Sequence, residues 1–308
     1  VIGTVLFTTI CILFPLTNMV EAFTPGRPAS QIANMHTLFN ITTTLLLLPF
    51  GTMLASLTQK ILPELPTEHI SEHRLMYLPP VLSSKEHSIG TSAIITNSIW
   101  RELERMLGMV RENVQHSYTA ILERKSKWME DVEEREEYID FLNKELASYI
   151  SHAITYETNE KESALISAFF KAASDLERIG DHAVNLCGYT RLLEERHMSF
   201  SQEAQEEIRE MKEISAEALA LIDRPGYGSA DRLVKIAAME QKIDDMTMQF
   251  RNNQMQRMRA GTCSDEACVL YSEMLTDFER IGDHILNIGQ ELTYSGFFTN
   301  FKPDANRS

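Results

Sequence analysis

Two patterns of apolar and polar positions divide the chain. Residues 1–20 (VIGTVLFTTICILFPLTNMV) are uncharged, long enough to cross about 30 Å of hydrocarbon as a helix, and are expected to form a transmembrane segment. A secretory signal is the alternative, but a basic leading region and a small-residue cleavage site are both missing. The start on Val1 fits a fragment whose front is cut away. TPGRPAS at 24–30 breaks any helix with two prolines and a glycine. After it Met35 to Leu62 is again almost free of charge, which predicts a second span or a turn plus a span, with Pro49 and Gly51 marking a kink or an end. From about residue 91 apolar residues recur at three and four spacing, and the expected helices cover 91–122, 126–153, 160–195, 202–223, 228–260 and 264–293. The turn DRPGYG at 223–228 separates the fourth from the fifth.

The second pattern repeats. DLERIGDH at 175–182 recurs as DFERIGDH at 277–284, identical at seven of eight positions, and each copy is followed by an apolar pair and an asparagine, Asn185 or Asn287. Two copies of one unit are implied. The fold class is therefore all-α, with two N-terminal transmembrane helices followed by two tandem three-helix bundles. The expected boundaries are 1–62 for the end of a membrane domain, 63–90 for a proline-bearing linker (Pro63, Pro66, Pro79, Pro80), 91–200 and 201–295 for the two bundles, and 296–308 for a tail.

Charge sharpens this division. Only Glu21, Arg27 and Lys60 are charged within residues 1–60, so that stretch is net +1 and the remaining residues carry −16, for a total of −15. So acidic a surface repels phosphate backbones and excludes a general nucleic-acid binder. Arg27 and Lys60 flank the second apolar stretch and leave its orientation open. Four cysteines give no disulfide framework; Cys263 and Cys268 are close in sequence, and the helical part is expected in a reducing compartment.

Candidate chemistry lies in the acids. Within each octapeptide Leu176, Ile179, Ala183 and Leu186, or Phe278, Ile281, Ile285 and Ile288, form the core stripe. Glu177 with Asp181, and Glu279 with Asp283, are four apart and share a neighbouring face, a line that Asn185 and Asn287 extend. Aligning Ile139-Asp140 with Ile243-Asp244 selects a second shared pair, Glu136 with Asp140 and Glu240 with Asp244. The pairs lie 37 and 35 residues apart, a spacing that suits neighbouring antiparallel helices. Each copy then brings four carboxylates to one interhelix site, where they repel unless a cation lies between them. All-oxygen ligands suit Mg²⁺, Mn²⁺ or iron better than Zn²⁺. Arg178 and Arg280 offer the alternative of acids salt-bridged on an exposed face. His182 and His284 lie about 100° off the acidic line and are expected beside the ligands rather than among them. In the first part Gln31, Asn34, His36 and Asn40 are candidate transport-path residues, against the alternative of hydrogen bonding between packed helices.

The paired acidic motifs, above all ERIGDH followed by Asn, closely resemble the PhoU family. The resemblance implies two tandem three-helix bundles with metal clusters on the eight acids. QIANMHTLFN at 31–40, followed by an apolar helix, is similar to the end of the membrane domain in bacterial Na⁺/phosphate cotransporter-related proteins that carry a C-terminal PhoU-like domain. That implies a sodium-dependent transporter of phosphate or a related anion in the inner membrane, with Na⁺ as coupling ion, inorganic phosphate as substrate, protein partners for the helical domain and the bundles in the cytoplasm. The Gln-Ser-Ser-Ser motifs of that family do not occur here. The alternative is a membrane-anchored regulator that moves no solute. A di-iron enzyme is the third class; such bundles use two ExxH pairs, and only Glu194-Glu-Arg-His197 matches, so no catalysis is expected.

Overall fold

The computed structural model describes residues 11, 16–26, 28–47, 73–78, 91–125, 127–155, 157–223 and 229–300. The chain divides into a first unit, 1–71, and a second, 72–308.

In the first unit α1 (Leu16–Phe23) ends before the Thr24-Pro-Gly break and α2 (Pro28–Leu47) begins on a proline. Proline fits the first helical position because its missing N–H needs no partner there. The second helix therefore starts earlier than the expected Met35. Thr37 and Thr43 return their hydroxyls to the carbonyls of Ala33 (3.0 Å) and Phe39 (2.7 Å), which satisfies them within their own helix. Among the described residues no helix is long and apolar enough to cross a membrane. Most of the expected first span, and residues 48–62 of the second with Pro49 and Gly51, lie outside the described residues. So do most of the turn at 223–228 and the tail from 301 onward.

Among the described residues the regular elements of the second unit are all helices. The first repeat comprises α3 (Thr91–Glu123), α4 (Lys127–Ile154) and α5 (Glu160–Glu195); the second comprises α6 (Gln202–Ala220), α7 (Ser229–Arg259) and α8 (Asp265–Tyr294), and a short α9 (Phe297–Asn300) follows. These bounds match the periodicity to within a few residues. Asn159, Ser201 and Ser264 cap α5, α6 and α8 by accepting first-turn N–H groups. α3 packs on α5 and α4, α7 packs on α8, and α5 packs on α8 across the repeats. One continuous core runs from Ile95 through Phe169, Tyr118 and Tyr271 to Phe297, so the two bundles are halves of a single apolar interior.

The glycine of each octapeptide sits where its helix crosses the upstream one. A Cβ on Gly180 would stand 3.5 Å from Ile139, and one on Gly282 would stand 3.0 Å from Ile243. The glycine thus lets α5 approach α4, and α8 approach α7, beside the Asp that follows each isoleucine. Two details depart from expectation. Cys263 and Cys268 are joined by a disulfide across the α7–α8 turn, where the first turn of α8 carries Cys268 back over the loop. Residues 73–78, inside the expected linker, pack on the first bundle through Leu75 and Leu78.

Candidate metal centre

Close crossing at the glycines brings the upstream and downstream acids of each repeat to one groove. All eight carboxylate residues are half-buried. In the second repeat Glu240 and Asp244 on α7 and Asp283 on α8 each offer an oxygen within 4.8 Å of the others. Glu279 leans away to Arg251 at 3.6 Å, and Arg280 reaches Asp283 at 3.1 Å.

The first repeat is charged differently. Lys144 sits on Asp140 at 2.5 Å, one helical turn on, where the register 140 to 244 places Met248 in the second repeat. Arg178 lies 4.0 Å from Glu177. Among the described residues the first repeat forms no equally tight triple. Its acids nonetheless feel one another. Burial, together with Asp181, Asp140, Glu177 and Glu137, raises the Glu136 carboxyl above its ordinary range. Burial and Asp181 raise Glu177, with Arg178 opposing. In the second repeat burial, Asp244 and Asp283 raise Glu240, and burial, Asp283 and Asp245 raise Asp244. Converging, partly desolvated carboxylates that resist ionisation are what a hard cation relieves. The arginines and Lys144 supply part of the compensating charge, so both expected compensations, cation and salt bridge, have groups in place.

The octapeptide has a third face. His182 Nδ1 lies 2.7 Å from Asp277 Oδ1, and His284 Nδ1 lies 2.7 Å from Asp175 Oδ1. The first residue of each octapeptide thus holds the last residue of the other, and the two rings stand 5.7 Å apart. Tyr189 donates its hydroxyl to Asp277 at 2.7 Å. Asn185 and Asn287 also turn across the repeats, donating to Asp277 (3.3 Å) and Asp175 (3.5 Å). That corrects their expected place on the acidic line. At 100° per residue, Asn185 lies between Asp181 and His182, 40° from the first and 60° from the second, and it follows His182 toward Asp277. Sequence reasoning missed Asp175 and Asp277, although both are identical in the repeated octapeptide and neither belongs to the core stripe or the acidic pair.

The other candidates are not gathered. Gln31 donates to the Thr24 carbonyl at 2.9 Å, tying the start of α2 to the end of α1. Asn34, His36 and Asn40 are exposed on α2. His197, the histidine of the lone ExxH, takes a left-handed backbone (φ 52°) just past α5 and donates its N–H to the Glu194 carbonyl at 3.2 Å. It terminates a helix.

Comparison with known proteins agrees with this architecture. The PhoU domain matches residues 103–190 and again 205–292. The chain is 26% identical over 206 residues to phosphate-specific transport system accessory protein PhoU homolog 1 of Thermotoga maritima, covering 65% of this chain and 87% of that protein. It is 22% identical to the PhoU homolog of Clostridium acetobutylicum, covering 63% and 88%. Among solved structures, PhoU from Pseudomonas aeruginosa superposes with a TM-score of 0.60 at 20% identity, covering 69% of this chain and all of that one. The phosphate transport system regulatory protein PhoU from Streptococcus pneumoniae does so with a TM-score of 0.60 at 17% identity and the same coverage. These likenesses show the helical fold of residues beyond the first unit.

Proposed function

The chain belongs to the PhoU family, and from that premise we propose that it regulates phosphate transport through protein partners, with cation sites on the duplicated acids setting its state. The observation that carries this reading is the gathering of Glu240, Asp244 and Asp283 at the counterpart of Glu136, Asp140 and Asp181, a position the chain has kept acidic in both repeats. A hard cation, Mg²⁺, Mn²⁺ or iron, fits the all-carboxylate donor set. Glu177 and Glu279 complete each set once released from Arg178 and Arg251. The protein performs no catalysis of its own. Its bundles act on the cytoplasmic side of the inner membrane, where a phosphate-transport system presents its regulatory surfaces. The relatives' printed roles, an accessory and a regulatory protein of phosphate transport, support this assignment.

Uptake measurements test it. In cells lacking the chain, phosphate uptake should stop responding to external phosphate. The intact protein should restore the response, and Asp181→Asn with Asp283→Asn should not. Uptake that responds identically with and without the chain contradicts the proposal.

A second reading keeps the chain as the C-terminal portion of a sodium-dependent phosphate cotransporter. It rests on QIANMHTLFN, which α2 contains, and on the apolar residues 1–20. Phosphate uptake into liposomes carrying the full-length protein, driven by a sodium gradient, would establish it; uptake indifferent to sodium would remove it.

A further inference from the structure

Residues 73–78 are tied to the first bundle residue by residue. Glu102 on α3 is fully buried, and its Oε1 accepts the backbone N–H groups of both Met76 and Tyr77, the latter at 2.6 Å. Its Oε2 accepts from Arg105 at 3.0 Å. Arg105 also donates to the Arg74 carbonyl at 3.0 Å, and so does the Tyr138 hydroxyl of α4, at 3.1 Å. The Tyr138 ring stacks on His73 at 4.4 Å, while the Arg101 guanidinium lies over Tyr77 at 4.1 Å. A buried carboxylate is costly unless its lone pairs are filled. Glu102 is filled by two consecutive amides at the bend of this segment, which makes the site a built dock for backbone.

Tyr138 also belongs to the acidic groove's own helix. It stands two residues from both Glu136 and Asp140, about 200° around α4 from each. α4 therefore presents acids to α5 on one face and Tyr138 to residues 73–78 on the opposite one. Repulsion among Glu136, Asp140, Glu177 and Asp181 pushes α4 from α5; a cation between them removes the push and seats the helix, Tyr138 included.

We propose that residues 73–78 are a strap whose docking on Glu102 and Tyr138 is coupled to cation occupancy of the first repeat's acidic groove, so that the bundle reports its occupancy to the chain preceding residue 73. This rests on the cation reading above. Occupancy tightens the strap, and by reciprocity release of the strap weakens cation binding at that groove by the same factor. The second repeat, for which the described residues show no strap, is unaffected.

The test is hydrogen exchange of the Met76 and Tyr77 amides in the full chain, with Mn²⁺ and with EDTA. Mn²⁺ should slow their exchange about fivefold or more. Glu102→Gln, and the milder Tyr138→Phe that keeps the ring and removes the hydroxyl, should weaken Mn²⁺ binding at the first groove and leave the second unchanged. If Mn²⁺ binds, as shown by a raised melting temperature, yet both amides exchange at the EDTA rate, the coupling is overturned and the cation reading stands. If Tyr138→Phe binds Mn²⁺ at both grooves as the parent does, the coupling is likewise overturned. If Mn²⁺ does not bind at all, the cation reading falls and the coupling with it.

Discussion

Removing Asp277 should cost far more than removing Asp175, although the two occupy the same place in the repeated octapeptide. Asp277 is 6% exposed and accepts two hydrogen bonds at 2.7 Å, from His182 and Tyr189, and a longer one at 3.3 Å from Asn185. Asp175 accepts one at 2.7 Å from His284 and one at 3.5 Å from Asn287, and 18% of its side chain is open to solvent. Tyr189 has no counterpart, because the register puts Glu291 in its place, paired with Lys171 at 2.8 Å. Hydrogen bonds to a charged acceptor contribute about 1.5–3 kcal/mol each, and a buried donor left alone bears its full desolvation penalty. Two strong bonds and a stranded tyrosine hydroxyl give about 3 kcal/mol for Asp277→Ala, after allowing His182 to find water. One strong bond at a wetter site gives about 1–1.5 kcal/mol for Asp175→Ala. For a cooperative unit of this size each kcal/mol moves the midpoint by about 2–4 °C, so the two variants should melt several degrees apart. Urea denaturation in EDTA, followed by far-ultraviolet circular dichroism, measures both. Equal losses, or a loss below about 0.5 kcal/mol for Asp277→Ala, would refute the reasoning that the octapeptides lock the repeats unequally.

Three further outcomes are expected. Gly282→Ala should destabilise by about 1 kcal/mol, because its Cβ would meet Ile243 at 3.0 Å and overpacking outweighs the gain in helix propensity; Gly180→Ala, with 3.5 Å to Ile139, should be neutral or stabilising, and paired denaturation curves check the difference. Lys144→Met, which copies Met248 into the first repeat, should tighten Mn²⁺ binding there about two- to fivefold, since it removes an exposed cation from Asp140; calorimetric titration reads it. In chelator, burial and neighbouring acids raise the Glu136 and Glu240 carboxyls, so the folded state binds more protons than the unfolded one and loses stability as pH rises through their raised range. Glu136→Gln with Glu240→Gln should therefore gain stability relative to the parent as pH rises above the ordinary glutamate range, and a parallel pH profile for the two proteins would contradict it.

Much of this was legible from the pattern of residues. Helical periodicity with few breakers located α3 to α8, and alignment of Ile139-Asp140 with Ile243-Asp244 selected acids of which Glu240, Asp244 and Asp283 come together. Less legible was which neighbour each face would meet. The wheel puts Asn185 near both Asp181 and His182, and only the packing of α5 on α8 sends it to Asp277. Prolines around 63–80 read as a linker, since the signal that residues 73–78 dock is one buried acid, Glu102, 25 or more residues downstream. Lys144 escaped notice because a lysine four residues after an aspartate is ordinary on a solvated helix; its meaning emerges against Met248.

The central claim, that the duplicated acids hold a cation, is tested most directly by thermal melting of the full chain with EDTA and with added Mg²⁺, Mn²⁺ or iron. A ligand that binds the native state alone stabilises it by about 2.7 kcal/mol at a hundred times its dissociation constant, so the melting temperature should rise by about 5–10 °C. Asp181→Asn with Asp283→Asn, which keeps shape and removes charge, should abolish the rise. A melting curve left unmoved by chelator and metal alike would contradict the account and assign the acids to Lys144, Arg178, Arg251 and Arg280 as salt bridges.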